Sequence, residues 1–311
     1  MLCLCHTVTP QEDGLTLHQL LRGPLGLSYR QVKTAKQQDA VSVDAAPFFS
    51  NQPVRAGMVV RVHLKSFADE ARANEPSAAA CPPGALRVLY EDDALIAVHK
   101  PALLQCHPSP SAPNGSDTLE ARVRAYLRAD AHPVHRLDAE TTGIVLFAKL
   151  PYAQAHLQRQ MQAGTFGKVY HAWVYGTLPR AEDTIDAPIA RISPDSFTRA
   201  VTPGGQRAVS RYRLLRAVTL EDSCVPATLV ELHPLTGRTH QLRVHMTHIG
   251  CPLLGDTRYF TEASRAASLA LGLRYHQLAS VSLRFLHPVS GEEIELRCPA
   301  QFSPVPGLSA P

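Results

Sequence analysis

The sequence predicts an α+β protein whose main sheet is largely antiparallel, and two patterns after residue 85 support this fold class. Strand-like runs repeatedly follow one another without an intervening helix, which is atypical of a doubly wound parallel sheet. Helix-like stretches are present but do not alternate regularly with the strands. A third observation concerns the organisation of the chain. Residues 66–85 are rich in Ala, Pro and small polar residues and have no apolar periodicity. This stretch is predicted to be a linker between residues 1–65 and residues 86–305.

The first segment, residues 1–65, is predicted to form a small α/β module. A leucine-rich stretch indicates a short helix that ends near Gly23. Ser28 is a typical N-cap residue for a second helix from Tyr29 to about Gln38. Val41–Val43 and Met58–Val62 then alternate in the manner of strands.

Three basic residues of this module, Arg30, Lys33 and Lys36, recur at three-residue spacing and therefore share one face of the second helix. Such a face suits contact with RNA phosphates, and it equally suits a helix surface that only contacts water. The residues alone leave both interpretations open.

The second segment, residues 86–305, combines strands and helices, and residues 306–311 are predicted to form a tail. The predicted strands are Leu86–Tyr90, Leu95–Val98, Gly143–Ala148, Val169–Tyr175, Ala227–Leu232 and Val281–Phe285. The predicted helices are Thr118–Arg128, Tyr152–Ala163 and Thr239–Ile249.

Composition excludes a membrane-spanning protein. The chain has 311 residues, of which 45% are hydrophobic, so a sizeable core can form. Its longest apolar runs, such as Gly143–Ala148, fall far short of the roughly 20 residues that a membrane helix needs. The N-terminus lacks the features of a secretory signal, and seven scattered cysteines without a CxxC pair are expected to be reduced thiols. We therefore expect a cytoplasmic monomer.

The charge distribution favours an anionic partner. Net charge is +4, and 25 of the 31 basic residues are Arg. Between Ser196 and Arg258 there are eight Arg and four acidic residues. Arginine suits recognition of phosphate groups and base edges, although genome composition also produces an excess of Arg.

A metal site is the first chemical possibility, because the chain has 15 histidines. The densest group is His240, His245 and His248, but HExxH is absent and no carboxylate joins the group. On a helix, His245 would point about 140° away from His240. We predict no metal, and a zinc hydrolase stays a third hypothesis that metal analysis would test.

The most informative segment is His135–Lys149, in which a charged loop carrying Asp138 enters a strand through a Thr-Thr-Gly turn. Asp138 can have a structural role there by accepting hydrogen bonds from backbone amides of the turn. A loop that holds a carboxylate beside an Arg at a strand end is also a common catalytic platform. The local residues leave both roles open.

This segment, HRLDAETTGIVLFAK, resembles the HRLDxxTSG signature of the large-subunit (RluA-like) family of RNA pseudouridine synthases. Three further segments resemble family elements in the family's order. They are Tyr90–Pro101 with its Lys-Pro turn, Lys168–Gly176, which is similar to KxYxAxVxG, and Thr236–Asp256, which is similar to TGRxHQIRVHxxxxGxPxxGD. The resemblance covers about Leu86 to Pro299.

The resemblance implies the pseudouridine synthase fold, with a central mixed, largely antiparallel sheet flanked by helices and preceded by the small α/β module. It also implies the isomerisation of uridine to pseudouridine in structured RNA, with no cofactor. Asp138 matches the catalytic carboxylate, acting on a flipped-out uridine. Attack on the ribose, attack on the base and proton abstraction all remain open as its chemical role.

The remaining roles are also carried over from the family. Arg243 matches the Arg that pairs with the catalytic Asp, and Tyr170 matches the tyrosine that stacks on the base. His135 and Arg136 are expected to help hold the target nucleotide out of its stack. Further candidates for pocket closure, phosphate contact or positioning are Leu278, Lys168, Arg238 and His240.

The chain departs from the family pattern at several positions. Thr142 stands where the family usually has Ser, and His99 stands where it usually has Asn. Tyr275–Ser280 differs from the family's QALHA, which weakens the basis for assigning pocket closure to Leu278.

The first module is similar to the αL RNA-binding fold of a small-subunit ribosomal protein. This likeness favours ribosomal RNA over transfer RNA as the partner. The alternative function is a non-catalytic RNA-binding or ribosome-assembly protein on the same fold.

Overall fold

A computed structural model describes residues 3–47, 51–64, 86–108, 117–220, 224–305 and 308. The predicted linker, residues 66–85, and nearly all of the predicted tail, residues 306–311, lie outside the described residues. Among the residues described, no helix is long and apolar enough to cross a bilayer. The cytoplasmic location and the monomeric state stay predictions.

The first segment forms a four-stranded antiparallel sheet in the order β1-β4-β2-β3, packed with two helices. Its strands are β1 Cys3–Thr7, β2 Val41–Val43, β3 Ala46–Pro47 and β4 Val59–His63, and its helices are α1 Leu17–Arg22 and α2 Tyr29–Gln37. Thr16 and Ser28 cap the two helices, each accepting a hydrogen bond from the backbone N–H three residues later. Apolar residues of both helices are buried against the sheet, so the predicted arrangement of helices and strands is present.

This segment contacts the rest of the chain through Arg159, whose Nη1 donates to the carbonyl oxygen of Gly26 over 3.1 Å. Gly26 has a φ of +65°, and a Cβ built there would lie 1.6 Å from Arg159 Nη1. A side chain at this position would displace the end of Arg159, and the positive φ also favours glycine. The boundaries drawn between the two segments stay a prediction.

The second segment is built on a ten-stranded mixed sheet. The main path runs β10-β13-β14-β9-β15-β8-β6-β5, with β16 paired to β15 and β7 paired to β8. These strands are β5 Arg87–Glu91, β6 Leu95–Lys100, β7 His132–Pro133, β8 Thr142–Ala148, β9 Gly167–Tyr175, β10 Glu182–Asp186, β13 Val209–Leu220, β14 Val225–Pro234, β15 Leu278–Leu286 and β16 Glu293–Arg297. A separate hairpin pairs β11 Ile189–Arg191 with β12 Arg199–Val201.

Within the described sheet, β8 and β15 run parallel and the other neighbouring strands run antiparallel. The described helices of this segment are α3 Leu119–Leu127, α4 Pro151–Ala163, α5 Gln241–His248 and α6 Glu262–Ala270. The predicted α+β class with a mixed, largely antiparallel sheet is confirmed.

Helices cover both faces of the sheet at β8, a strand whose seven residues are all buried. Ile144 and Leu146 belong to the same apolar cluster as Leu157 of α4. Val145 and Phe147, on the opposite face, cluster with residues of α3 and α5. Alternate side chains of a strand point to opposite faces, so one short strand anchors helices on both sides.

The sheet brings three distant segments together beside the loop that carries Asp138. In the parallel pair, Ala279 of β15 lies opposite Thr142 at the start of β8. On the other side of β15, Ser280 lies opposite Tyr170 of β9. Gly143 has a φ of +108°, and a Cβ there would lie 2.1 Å from the Ser280 carbonyl oxygen. The glycine of the Thr-Thr-Gly turn therefore permits this close approach of two strands.

Candidate active site

A cavity of about 300 Å³ opens where the loop before β8, the start of β9 and the loop before α5 meet. Nine of the residues predicted to act on substrate or RNA line it: His135, Arg136, Asp138, Lys168, Tyr170, Arg238, His240, Arg243 and Leu278. The other three, Arg30, Lys33 and Lys36, are exposed on α2 and do not line this cavity.

A buried arginine links the cavity to the core. Arg243 Nη1 donates to Asp138 Oδ2 over 3.0 Å. The other side of the same guanidinium donates from Nε and Nη2 to the two carboxylate oxygens of Asp256, over 2.7 and 2.8 Å. The Asp256 side chain is fully buried, whereas that of Asp138 is 30% exposed. Asp256 thus fixes the guanidinium, and Asp138 presents a free carboxylate oxygen to the cavity.

Positive charge keeps the Asp138 carboxyl ionised. Burial alone would raise its pKa, but the charge of His240 in its protonated form, the charge of Arg243 and the hydrogen bond from Arg243 outweigh burial and lower it. His240 is neutral at pH 7, because burial lowers its pKa to about 4. The permanent charge of Arg243 is therefore the main reason that Asp138 is an anion at neutral pH.

His240 lies between Asp138 and a tyrosine. Its Nδ1 is 2.8 Å from Tyr259 Oη, and its Nε2 is 3.9 Å from Asp138 Oδ2. Tyr259 Oη accepts the backbone N–H of Arg199, which leaves the phenolic hydrogen free for Nδ1. The proton of His240 then resides on Nε2, facing the carboxylate. His240 has a φ of +56°, so helix α5 begins two residues later than the predicted Thr239–Ile249.

The apolar side of the cavity is formed by Tyr170 and Leu278, which are 8% and 5% exposed. Burial raises the pKa of the Tyr170 phenol, which is therefore neutral at pH 7. An aromatic ring and a leucine beside a carboxylate form a slot that suits a flat, polar-edged ring.

Three cationic side chains surround the opening. Arg136 and Arg238 are exposed, and Arg238 Nε donates to the carbonyl oxygen of Arg207 over 2.9 Å. Lys168 is half-buried, and burial lowers the pKa of its ammonium. Among the described residues, no acceptor for Lys168 is present. These groups give the rim a positive charge.

His135 has a structural contact. Its Nε2 accepts the backbone N–H of Leu146 over 3.3 Å, and its ring packs beside Phe166. Burial, and then the charge of Lys168, lower its pKa to about 3, so it is neutral. His135 fastens the loop to β8, and its predicted contact with the nucleotide stays a prediction.

Comparison with known proteins identifies the family. A family model described as RNA pseudouridylate synthase matches residues 94–248. Ribosomal large subunit pseudouridine synthase D of Vibrio parahaemolyticus is 36% identical over 225 residues, which cover 69% of this chain and 67% of that protein. Ribosomal large subunit pseudouridine synthase C of Vibrio cholerae is 30% identical over 298 residues, 93% of this chain and 89% of that protein. The chain belongs to the RNA pseudouridine synthase family.

A solved structure shows the same fold. Human RNA Pseudouridylate Synthase Domain Containing 1 superposes with a TM-score of 0.57 at 24% identity, over 70% of this chain and 86% of that one. The family model and the sequence relatives show that the chain is an RluA-like RNA pseudouridine synthase, an enzyme that isomerises uridine in RNA. The sequence-based prediction of the family, the fold and the enzyme class is confirmed.

The synthase also contains residues near Asp138 to which the sequence analysis gave no role. Lys100, fully buried, donates from Nζ to the carbonyl oxygens of Pro101, Leu104 and Ala139, over 2.9, 2.7 and 2.6 Å. Burial lowers its pKa to about 8. Because Ala139 directly follows Asp138, Lys100 holds the backbone beside the carboxylate.

His276 holds the same loop from another side. Its Nδ1 lies 2.8 Å from Glu140 Oε2, and its Nε2 lies 2.8 Å from Thr141 Oγ1. His276 belongs to the stretch Tyr275–Ser280 that departs from the family pattern. Lys100 and Asp256 lay inside motifs already recognised, whereas no sequence signal connects His276 to Glu140.

The histidines considered for zinc have other partners in the synthase. His245 is fully buried, with its ring nitrogens 2.9 Å from Ser210 Oγ and 2.9 Å from the Ala187 carbonyl oxygen. In the described part of the chain, no three His, Cys, Asp or Glu side chains are placed to hold a metal ion. The hydroxyl of Thr142, the residue that replaces Ser, donates to the carbonyl oxygen of Gln301 over 3.0 Å.

Proposed function

We propose that this synthase modifies uridine in ribosomal RNA and that Asp138 is its catalytic carboxylate, acting on a flipped-out nucleotide. The observation that carries the proposal is the contact between Arg243 and Asp138 at the cavity. A permanent cation holds an ionised carboxylate beside an apolar slot of about 300 Å³. The names of the relatives from two Vibrio species support ribosomal RNA as the substrate.

The reaction breaks the bond between ribose C1′ and uracil N1, turns the uracil and joins C1′ to C5. The hydrogen on C5 leaves as a proton, so no electrons enter or leave. The step needs a carboxylate that can act as a nucleophile or as a base, and both roles require the ionised form. Arg243 supplies that form, and Tyr170 and Leu278 offer the turning ring apolar surfaces.

Entry of the uridine into the slot requires it to leave its stack, which costs a few kcal/mol. Contacts outside the slot must offset this cost. Arg136 and Arg238 at the rim, and Lys168 within the cavity, are placed to meet phosphates or the ribose of the target nucleotide. Arg30, Lys33 and Lys36 extend along the exposed face of α2, where we propose a further RNA contact.

Release of tritium from RNA labelled at uridine C5 tests this proposal. Purified protein is incubated with labelled ribosomal RNA and, separately, with labelled transfer RNA, both prepared without pseudouridine. We expect release from ribosomal RNA by the wild type and by Asp183→Asn, which changes a partly exposed carboxylate on β10, but none by Asp138→Ala. Release from transfer RNA alone would contradict the choice of substrate. RNA binding without release from either RNA would instead indicate the non-catalytic alternative.

A further inference from the structure

We propose that the hairpin of β11 and β12 is a second RNA-binding arm, in which Arg191 and Arg199, together with Arg238, hold a backbone phosphate next to the flipped nucleotide. This inference rests on the proposed function, because it assumes that RNA lies across the cavity that contains Asp138. It adds a binding site outside that cavity, formed by residues to which the family resemblance gave no role, apart from Arg238.

The first argument is the placement of like charges. Arg191 and Arg199 are directly opposite in the register of the hairpin, so their side chains lie on the same face of a two-stranded ribbon. Like charges directly opposite each other are destabilising. Neither guanidinium forms an ion pair with a carboxylate of the residues described, whereas nearby Arg207 lies 3.7 Å from Asp186. An anion between the two arginines would remove the repulsion.

The second argument is an open space bounded by these guanidinium groups. A cavity of about 440 Å³ is lined by Arg191, Arg199 and Arg238, and its lining also includes Gly204 and Gly205. Arg199 Nε is buried and has no hydrogen-bond partner among the residues described. Phosphate oxygens in the cavity would accept hydrogen bonds from the terminal N–H groups of these arginines.

Hydrogen bonds to backbone carbonyl oxygens already orient the guanidinium groups of Arg191 and Arg238. Arg191 Nη1 donates to the Pro194 carbonyl oxygen over 2.9 Å, and Arg238 Nε donates to the Arg207 carbonyl oxygen over 2.9 Å. Each contact uses one of the five N–H groups of a guanidinium and leaves the others available. Gly204 and Gly205 in the lining carry no side chain that would fill the space.

The third argument is continuity with the candidate active site. Arg238 and Thr239 line both cavities, so the two spaces adjoin at these residues. The backbone N–H of Arg199 also donates to Tyr259 Oη, which contacts His240 beside Asp138. An RNA strand whose uridine enters the first cavity would pass its neighbouring phosphate over the second.

The tip of the hairpin supports RNA as the occupant. Phe197 is 76% exposed and Ile192 is 60% exposed, although both are large apolar residues. Aromatic side chains beside arginines are typical of surfaces that bind unstacked nucleotides, because a base can stack on the ring while the cations meet the backbone. In this arm, the ring of Phe197 stacks on the base of a nucleotide that flanks the target.

The test measures affinity for a ribosomal RNA transcript at several salt concentrations. Each phosphate neutralised by the protein contributes about 0.7 to the slope of log K against log salt for single-stranded RNA. Because the arginines share one phosphate, we expect R191Q/R199Q to reduce the magnitude of that slope by about 0.7. Phe197→Ala is expected to weaken binding about tenfold without changing the slope. The control R284Q/R297Q removes two exposed, carboxylate-paired arginines on β15 and β16 and should keep the wild-type slope.

Two further variants separate a phosphate contact from a structural role of the arginines and from a failure to fold. Arg199→Lys retains the charge and is expected to keep the salt slope, which separates a phosphate contact from a purely structural role of Arg199. Arg191 is exposed, so the salt slope of Arg191→Gln alone tests the phosphate contact if the double variant does not fold. A wild-type slope in R191Q/R199Q, or in Arg191→Gln where the double variant does not fold, would overturn the arm whether or not the enzyme turns over. Absence of tritium release by the wild type, with the slope reduced in R191Q/R199Q, would instead contradict the proposed function and leave the arm supported.

Discussion

Arg243 donates a hydrogen bond to Asp138 over 3.0 Å, and the contact joins two residues that are 105 positions apart in the chain. The two partners have different surroundings. Arg243 is 7% exposed and is clamped by Asp256, whereas Asp138 is 30% exposed and faces the cavity. The cation is therefore fixed in place, and the carboxylate beside it is accessible to a substrate.

Replacement of Arg243 by Lys tests this arrangement. An ammonium group cannot donate to both Asp256 oxygens and to Asp138 in one plane. We expect a loss of about a hundredfold or more in the rate of tritium release. The free energy of unfolding should fall by about 1–3 kcal/mol, because an ammonium replaces only part of the buried hydrogen bonding to Asp256. Urea unfolding and the release assay measure both effects, and Arg258→Lys, at an exposed position, is the control. Retained activity in Arg243→Lys would contradict the role of the clamp.

The neutral state of His240 predicts a pH dependence of stability. Its pKa is about 4 in the folded protein, compared with an ordinary value of 6.5. Between these values the unfolded chain binds more protons, so stability falls as pH falls from about 6.5 to about 4. His240→Asn should reduce the stability difference between pH 7 and pH 4 by about 2–3 kcal/mol. Urea unfolding across this range checks the effect, with the exposed His248→Gln as control. An unchanged pH profile in His240→Asn would contradict the assignment.

The hydroxyl of Tyr259 is expected to act through His240. Tyr259→Phe keeps the ring beneath the Arg243 guanidinium, 5.0 Å away, but removes the hydrogen bond to Nδ1. We expect kcat to fall about tenfold with little change in KM, because the residue touches no substrate. The histidine should also lose its fixed tautomer, which changes the pH profile of kcat. Tyr126→Phe, an exposed tyrosine paired with Glu91, is the matched control. Wild-type kcat and an unchanged pH profile in Tyr259→Phe would contradict the proposal that the Tyr259 hydroxyl acts through His240.

Lys100 is predicted to hold the loop that carries Asp138. Lys100→Met keeps the apolar stem but leaves three carbonyl oxygens without their donor. At about 1–3 kcal/mol for each acceptor left unpaired, a total loss of about 3 kcal/mol or more in stability is expected. Activity should fall even at temperatures where the variant is folded, because the loop is looser. Thermal unfolding and the release assay check this, with Arg180→Met, at an exposed position, as control. A folded, fully active Lys100→Met would show that the loop does not need this lysine.

Much of the fold follows from local patterns. β8 is a continuous apolar run, and α2 begins at a capping serine, so both were predicted close to their actual bounds. The elements that were not predicted have weak patterns of this kind. In β13, arginines interrupt the apolar pattern. β10 is a polar strand at the sheet edge, and α6 is composed largely of Ala and Ser. Their positions are set by pairing and packing with distant segments, which local patterns do not contain.

The residues of the candidate site also fall into a predicted group and a group that sequence patterns did not reveal. The resemblance brought Asp138, Tyr170 and Arg243 into consideration because each lies within a motif. Tyr259 and His276 were missed because each acts on a residue far away in the chain, namely His240 and Glu140. Contacts between single residues more than a dozen positions apart leave no periodicity that a single sequence reveals.

The most direct test of the central claim is a single-turnover release assay on Asp138→Asn. Asparagine has nearly the same shape as aspartate but carries no charge and cannot serve as nucleophile or base. Enzyme in excess over C5-tritiated ribosomal RNA removes any effect of product release on the measurement. The account predicts that Asp138→Asn binds the RNA with an affinity close to that of the wild type and releases no tritium above background. Release at the wild-type rate by Asp138→Asn would contradict the claim that Asp138 is the catalytic carboxylate.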